Sequence, residues 1–144
     1  MTDSRPTWDD WGLNLARAVA VRGDCSRRQV GSVILDTDHR VVSTGYNGAP
    51  SGQPGCLDGF CPRALASPEE IQSNITDYEN GPGRCIAVHA ETNALLWADP
   101  ARTKGGTMYN THAPCNWCFK VIGGSGLLTL MWPTANSVKR VRFG

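Results

Sequence analysis

Cys115 and Cys118, within Pro114-Cys-Asn-Trp-Cys118, stand three positions apart. That spacing serves a redox pair, a structural metal or a metal that does chemistry, so the spacing alone does not choose. His89 lies 26 residues before Cys115, and Glu91 follows it two positions on. One imidazole and two thiolates supply three ligands to a zinc ion and leave its fourth tetrahedral position open to water, which separates a catalytic site from a closed structural one. Glu91 at i+2 does not share a helix face with His89, so it reads as a base beside that water rather than as a fourth ligand. Two thiolates bring the formal charge of the site close to zero. Such an ion acidifies water less than an all-histidine site would, and a neighbouring carboxylate then has a task. The chemistry this suits is hydrolytic removal of an amine from an amidine-like carbon, such as C4 of cytosine. Against it stand a core histidine, a surface acid and a structural half-site, and a Cys-x-x-Cys redox pair is the weakest reading.

Several elements must position these side chains. Thr7-Trp-Asp-Asp10 reads as a helix N-cap, and Trp8, Trp11, Leu15, Ala18 and Val19 recur at helical spacing over about 7–22. Val30 to Asp36 and Val41 to Gly45 form an expected hairpin. From about 47 to 84 runs a Gly/Pro-rich insertion whose one helix signal is Ser67-Pro-Glu-Glu70. "CIAVHAETNALLWAD" reads as a buried helix, Thr107–Thr111 as a strand, Pro114 to about Ile122 as a helix, and Leu127–Trp132 as a strand. No element is assigned to the closing "TANSVKRVRFG". Cys115 and Cys118 then share one face at a helix start, where free N–H groups favour thiolate. The alternation of strands and helices in the second half implies parallel pairing and one α/β domain over 1–144.

The chain of 144 residues is 40% hydrophobic and 19% charged with a net charge of +1, as for a globular protein without a field for polynucleotides or anionic membranes. No signal-peptide core and no long apolar run occur, so a cytoplasmic protein without a membrane segment is expected. In that compartment Asn74-Ile75-Thr76 carries no glycan, and six cysteines point to metal rather than disulfides. Cys25, Cys56, Cys61 and Cys85 remain once the Cys115/Cys118 pair is assigned. Four thiolates would complete a second, structural zinc site that fixes the insertion. Buried free thiols, or three ligands out of four, are the alternatives.

"CSRRQVGSVILD" (25–36), "STGYNGAPSG" (43–52), "HAETNALL" (89–96) and "THAPCNWC" (111–118) together resemble the deoxycytidylate deaminases of the cytidine-deaminase superfamily. His-x-Glu with Pro-Cys-x-x-Cys is the signature of zinc nucleobase deaminases generally. The resemblance implies a three-layer α/β/α fold with a central mixed sheet, and conversion of dCMP to dUMP and ammonia, feeding thymidylate synthesis. It also implies a homo-oligomer, often a hexamer. It assigns zinc to His89, Cys115 and Cys118, and proton transfer to Glu91. Asn47 would sit on the nucleotide sugar, or else be a turn residue. Arg27 and Arg28 would hold the 5′-phosphate, for which guanidinium is suited, or else be a solvated pair. His112 would line the pocket, or else end the strand. Competing readings are a deaminase of another cytosine nucleoside or nucleotide, a deaminase of tRNA adenosine, and a zinc-stabilised binding module without activity.

Overall fold

The computed structural model describes residues 4–71 and 77–144. The Asn74–Thr76 motif lies outside them. Helix α1, Trp8–Ala20, begins at the N-cap Thr7, whose hydroxyl accepts from the Asp10 N–H, with Asp9 and Asp10 in the first turn. Strands β1 (Gly31–Leu35) and β2 (Val41–Tyr46) form the expected hairpin. A 3₁₀ turn at Cys56–Asp58 and helix α2, Pro62–Leu65, follow. Then come α3 (Ala90–Leu96), α4 (Pro100–Thr103), β3 (Thr107–Asn110), α5 (Asn116–Gly123), β4 (Thr129–Pro133) and β5 (Val138–Arg142).

The sheet order is β2-β1-β3-β4-β5, with β3 and β4 parallel and the other neighbours antiparallel. It is the expected mixed sheet. Strand alternation sorts the core into two layers. Val33, Leu35, Tyr109 and Met131 pack with Leu13 and Ala16 of α1. On the opposite face Ile34, Met108 and Leu130 pack with Ala94 of α3 and with Cys118 and Ile122 of α5. Each large side chain buried there contributes about 1.5–3 kcal/mol. Helices on both faces make the three layers. Gly31 and Gly45 let the helices close: a Cβ on Gly31 would overlap the Ala16 carbonyl of α1, and one on Gly45 the Ala90 carbonyl of α3.

Four local expectations change. The helix through "CIAVHAETNALLWAD" starts only at Ala90, because Val88 bridges to Gly48 in extended backbone. Ser67 and Glu70 do make the reciprocal capping bonds, yet a bare turn results. A cap satisfies two donors without by itself offsetting the cost of nucleating a helix. Among the described residues of the insertion the α-helix is instead Pro62–Leu65, with the Cys61 sulfur accepting from the Ala64 N–H. Val138–Arg142 is a strand, reached through a turn at Thr134–Ser137, and the β-branched Val138 and Val141 were its only local signal. Among the described residues no helix is long and apolar enough to cross a membrane.

Candidate active site

His89 is the N-cap of α3 and Cys115 the N-cap of α5, both in extended backbone conformation. Neither is therefore on a helical wheel, and the i, i+2 relation of His89 to Glu91 spans the edge of α3 rather than its wall. Helices α3 and α5 lie on one sheet face, so their N-terminal ends bring the two motifs together. His89 Nδ1 is 3.4 Å from Cys115 Sγ and 3.3 Å from Cys118 Sγ. These three ligand atoms all lie within 4.8 Å of one another, and among the described residues no other group of three metal-ligating side chains does. Cys115 Sγ accepts from the Cys118 N–H at 3.4 Å, and the Thr92 hydroxyl is 3.6 Å from Cys118 Sγ.

The helix start does not by itself favour the Cys118 thiolate, contrary to the expectation from the sequence. Burial, and then the adjoining Glu91 carboxylate, push the Cys118 thiol up from its ordinary range. A cation coordinated by that sulfur removes its proton and reverses the penalty. One nitrogen and two sulfurs at tetrahedral-site spacing fit zinc, with no protein ligand for a fourth position among the described residues.

Glu91 is buried in the first turn of α3, beside Cys118. Its Oε1 accepts from Asn110 Nδ2 at 3.4 Å, and Asn110 Oδ1 accepts from the Ser32 hydroxyl at 2.6 Å. Ser32 and Asn110 are fully buried. A buried polar group left without a partner costs about 1–3 kcal/mol, so this chain stays in an apolar layer only because it is connected. The sequence reading missed both residues. Their signal was a polar side chain in register with inward-facing Ile34 and Met108.

His112 lies on the loop between β3 and α5, its Nδ1 2.7 Å from the Thr111 hydroxyl, which accepts from the Gly31 N–H at 3.0 Å. Burial first, then the Arg28 guanidinium, lower the His112 imidazole, and the Glu91 carboxylate opposes them. Arg28 and Glu91 therefore both act on His112. The side chain of Asn47 is engaged by backbone: Nδ2 donates to the Arg28 carbonyl at 2.8 Å and Oδ1 accepts from the Val30 N–H at 2.9 Å. It holds the loop that carries the arginines, both of which are exposed.

The other cysteines are gathered without closing into a ligand set. Burial pushes the Cys56 thiol up to about 12, followed by a hydrogen bond with Cys61 and the charges of Cys61, Cys85 and Cys25. All six cysteines are unbridged. The insertion is also held by contacts unseen in the sequence. Arg63, 4% exposed, donates to the Gly83 carbonyl at 2.7 Å and lies 3.7 Å from the centre of the Tyr78 ring. Asp24 Oδ1 accepts from the Leu57 N–H at 2.8 Å.

Residues 6–132 match the family described as the cytidine and deoxycytidylate deaminase zinc-binding region. The deoxycytidylate deaminase of Mycobacterium phage D29 is 45% identical over 130 residues, covering 90% of this chain and 97% of that protein. The deoxycytidylate deaminase of Saccharomyces cerevisiae is 36% identical over 129 residues, covering 89% of this chain but only 38% of the yeast protein. Among solved structures, dCMP deaminase from the cyanophage S-TIM5 in complex with dCMP and dUMP superposes with a TM-score of 0.61 at 22% identity, over 90% of this chain and 83% of that one. At that identity the likeness concerns the fold. With the His/Cys/Cys group at the helix ends, these matches place the chain in the cytidine and deoxycytidylate deaminase zinc-binding family.

Proposed function

We propose that the chain is one zinc-dependent deaminase domain over 1–144 that converts dCMP and water to dUMP and ammonia, supplying thymidylate synthesis. The carrying observation is the convergence of His89 Nδ1, Cys115 Sγ and Cys118 Sγ within 4.8 Å, with the Glu91 carboxylate buried beside them. The similarity to the phage D29 deoxycytidylate deaminase over 97% of that protein supports dCMP as substrate. His89, Cys115 and Cys118 would hold the zinc. When bound, such an ion acidifies a water at its fourth position.

Glu91 carries the protons. It takes one from the water that attacks C4 and delivers it to N3 of the ring, leaving C4 tetrahedral with a hydroxyl and an amine. It then moves the hydroxyl proton to that amine. The C4–N bond breaks with its electron pair on nitrogen, ammonia leaves, and C4 becomes the carbonyl of uracil. Burial of Glu91 keeps solvent from competing for these protons. Arg28, with Arg27 beside it, meets the 5′-phosphate, supported by its nearness to His112 and thus to the Glu91 end of the site. His112 lines the pocket on that side. Asn47 keeps one N–H for a sugar hydroxyl while it holds the Arg28 loop.

Three further assignments accompany this reading. A second, structural zinc on Cys25, Cys56, Cys61 and Cys85 is supported by the clustering of the other three around Cys56. A homo-oligomer, as large as a hexamer, is supported by exposed Trp97, Trp117, Leu65 and Leu96. The compartment is the cytoplasm, supported by the abundance of unbridged cysteines.

Ammonia release on dCMP, CMP, dCTP, deoxycytidine and 5-substituted analogues tests the proposal, with dCMP expected to turn over best. Glu91→Gln is expected to lose at least about 100-fold in kcat with zinc and fold retained. Turnover of none of these substrates, or an unaffected Glu91→Gln variant, overturns it.

A further inference from the structure

We infer that Asn110 is a positioning residue for Glu91, and that Ser32 braces the Asn110 amide. The inference rests on the reading of Glu91 as the proton carrier. Ser32 and Asn110 are directly paired across the antiparallel β1–β3 register, so their side chains leave the sheet on the same face. That face is the one covered by α3 and α5, and its fully buried apolar strand residues are Ile34, Met108 and Leu130. Two polar residues stand at its end nearest to Cys115 and Glu91, both fully buried.

The chain of bonds has a direction. The Ser32 hydroxyl donates to Asn110 Oδ1 at 2.6 Å, and the amide nitrogen faces Glu91, where Nδ2 reaches Oε1 at 3.4 Å. The reversed amide would set a carbonyl oxygen against a carboxylate. The acceptor-only Glu91 carboxylate therefore selects the orientation in which Asn110 donates, and the Ser32 hydroxyl satisfies Oδ1 in that orientation. Donation to Oε1 pins that oxygen on the sheet side and leaves Oε2 as the one that exchanges protons with water, N3 and the amine. A carboxylate free to rotate would present either oxygen, and the fraction of time in reacting geometry would fall.

The test measures kcat and KM for dCMP, zinc content and thermal midpoint of the full chain and its Ser32→Ala, Asn110→Leu, doubly substituted and Glu91→Gln variants. Asn110→Leu is expected to lower kcat about 10- to 100-fold, and Ser32→Ala about 5-fold, with KM and zinc content at the parent values. The double variant should match Asn110→Leu alone, because both changes remove the same restraint. If Asn110→Leu does not fold, Ser32→Ala, which deletes one oxygen, decides the question by the same kcat criterion. An Asn110→Leu protein with full kcat beside an inactive Glu91→Gln overturns this inference and leaves the proton-carrier reading standing. Full activity of Glu91→Gln removes both. Loss of zinc or of thermal stability that accounts for the lost rate reduces Asn110 and Ser32 to packing and also overturns the inference.

Discussion

Arg28 is exposed, yet its guanidinium acts on His112, which in turn feels the Glu91 carboxylate. The loop that carries Arg28 is fastened by the Asn47 amide and by the Asn47 N–H to the Val30 carbonyl. A phosphate is the ligand group that such a cation distinguishes. Arg28→Ala should therefore raise KM for dCMP about 10-fold or more and leave deoxycytidine turnover unchanged. Steady-state kinetics on both substrates checks it, and equal effects on the two would place Arg28 away from the phosphate. Asn47 is a different case. Replacing it would loosen the whole 28–30 segment, so its variants report on loop geometry before they report on sugar contacts.

Helix α3 is short, and its N-terminal end carries His89 and Glu91, so its seat on the sheet sets the geometry of the site. That seat is a close approach to β2 at Gly45, where a Cβ would meet the Ala90 carbonyl oxygen and the Ala94 nitrogen. Both contacts are backbone and neither can turn aside. Gly45→Ala should lower stability by about 1–3 kcal/mol and reduce kcat as well, because α3 is displaced as a unit. Thermal unfolding and turnover on the same preparation check it; loss of stability with kcat intact would show that the site tolerates a shifted helix. On the opposite face, Tyr109 donates to Asp9 Oδ1 at 2.7 Å and Arg140 donates to Asp9 Oδ2 at 2.6 Å, which ties α1 to β3 and β5. That link lies across the sheet from the metal group.

The molecule stands on two layers built mainly from aliphatic and aromatic side chains, and the His/Cys/Cys group lies at the rim of one of them. A metal bound there would add stability by mass action without being the reason the sheet forms. Chelation should thus abolish deaminase activity while leaving a folded sheet, and added zinc should restore activity. Circular dichroism and ammonia release, followed together during chelation, check this. Complete unfolding on removal of the first equivalent would show that the core depends on metal. The Cys25–Cys85 cluster adds a second quantity: a count of two zinc ions per chain supports the structural site, and one per chain removes it.

His-x-Glu, Pro-Cys-x-x-Cys, the opening hairpin and the parallel second half were legible because motif spacing and side-chain periodicity are local properties. The same is true of the first helix, with its Thr7 cap and apolar stripe. Three things were not. The start of α3 depends on the bridge between Gly48 and Val88, a contact across forty residues of chain. The insertion is organised by Arg63 reaching Gly83 and Tyr78, and an arginine in a polar loop carries no sign of that burial. Strand Val138–Arg142 has two valines among exposed charges without a strict alternation, and only its pairing with β4 turns a tail into an edge. The sequence alone determined which side chains offer metal ligands and a carboxylate close to them. Only the tertiary structure decided what holds Glu91, because Ser32 and Asn110 lie 78 residues apart and become neighbours through the β1–β3 register.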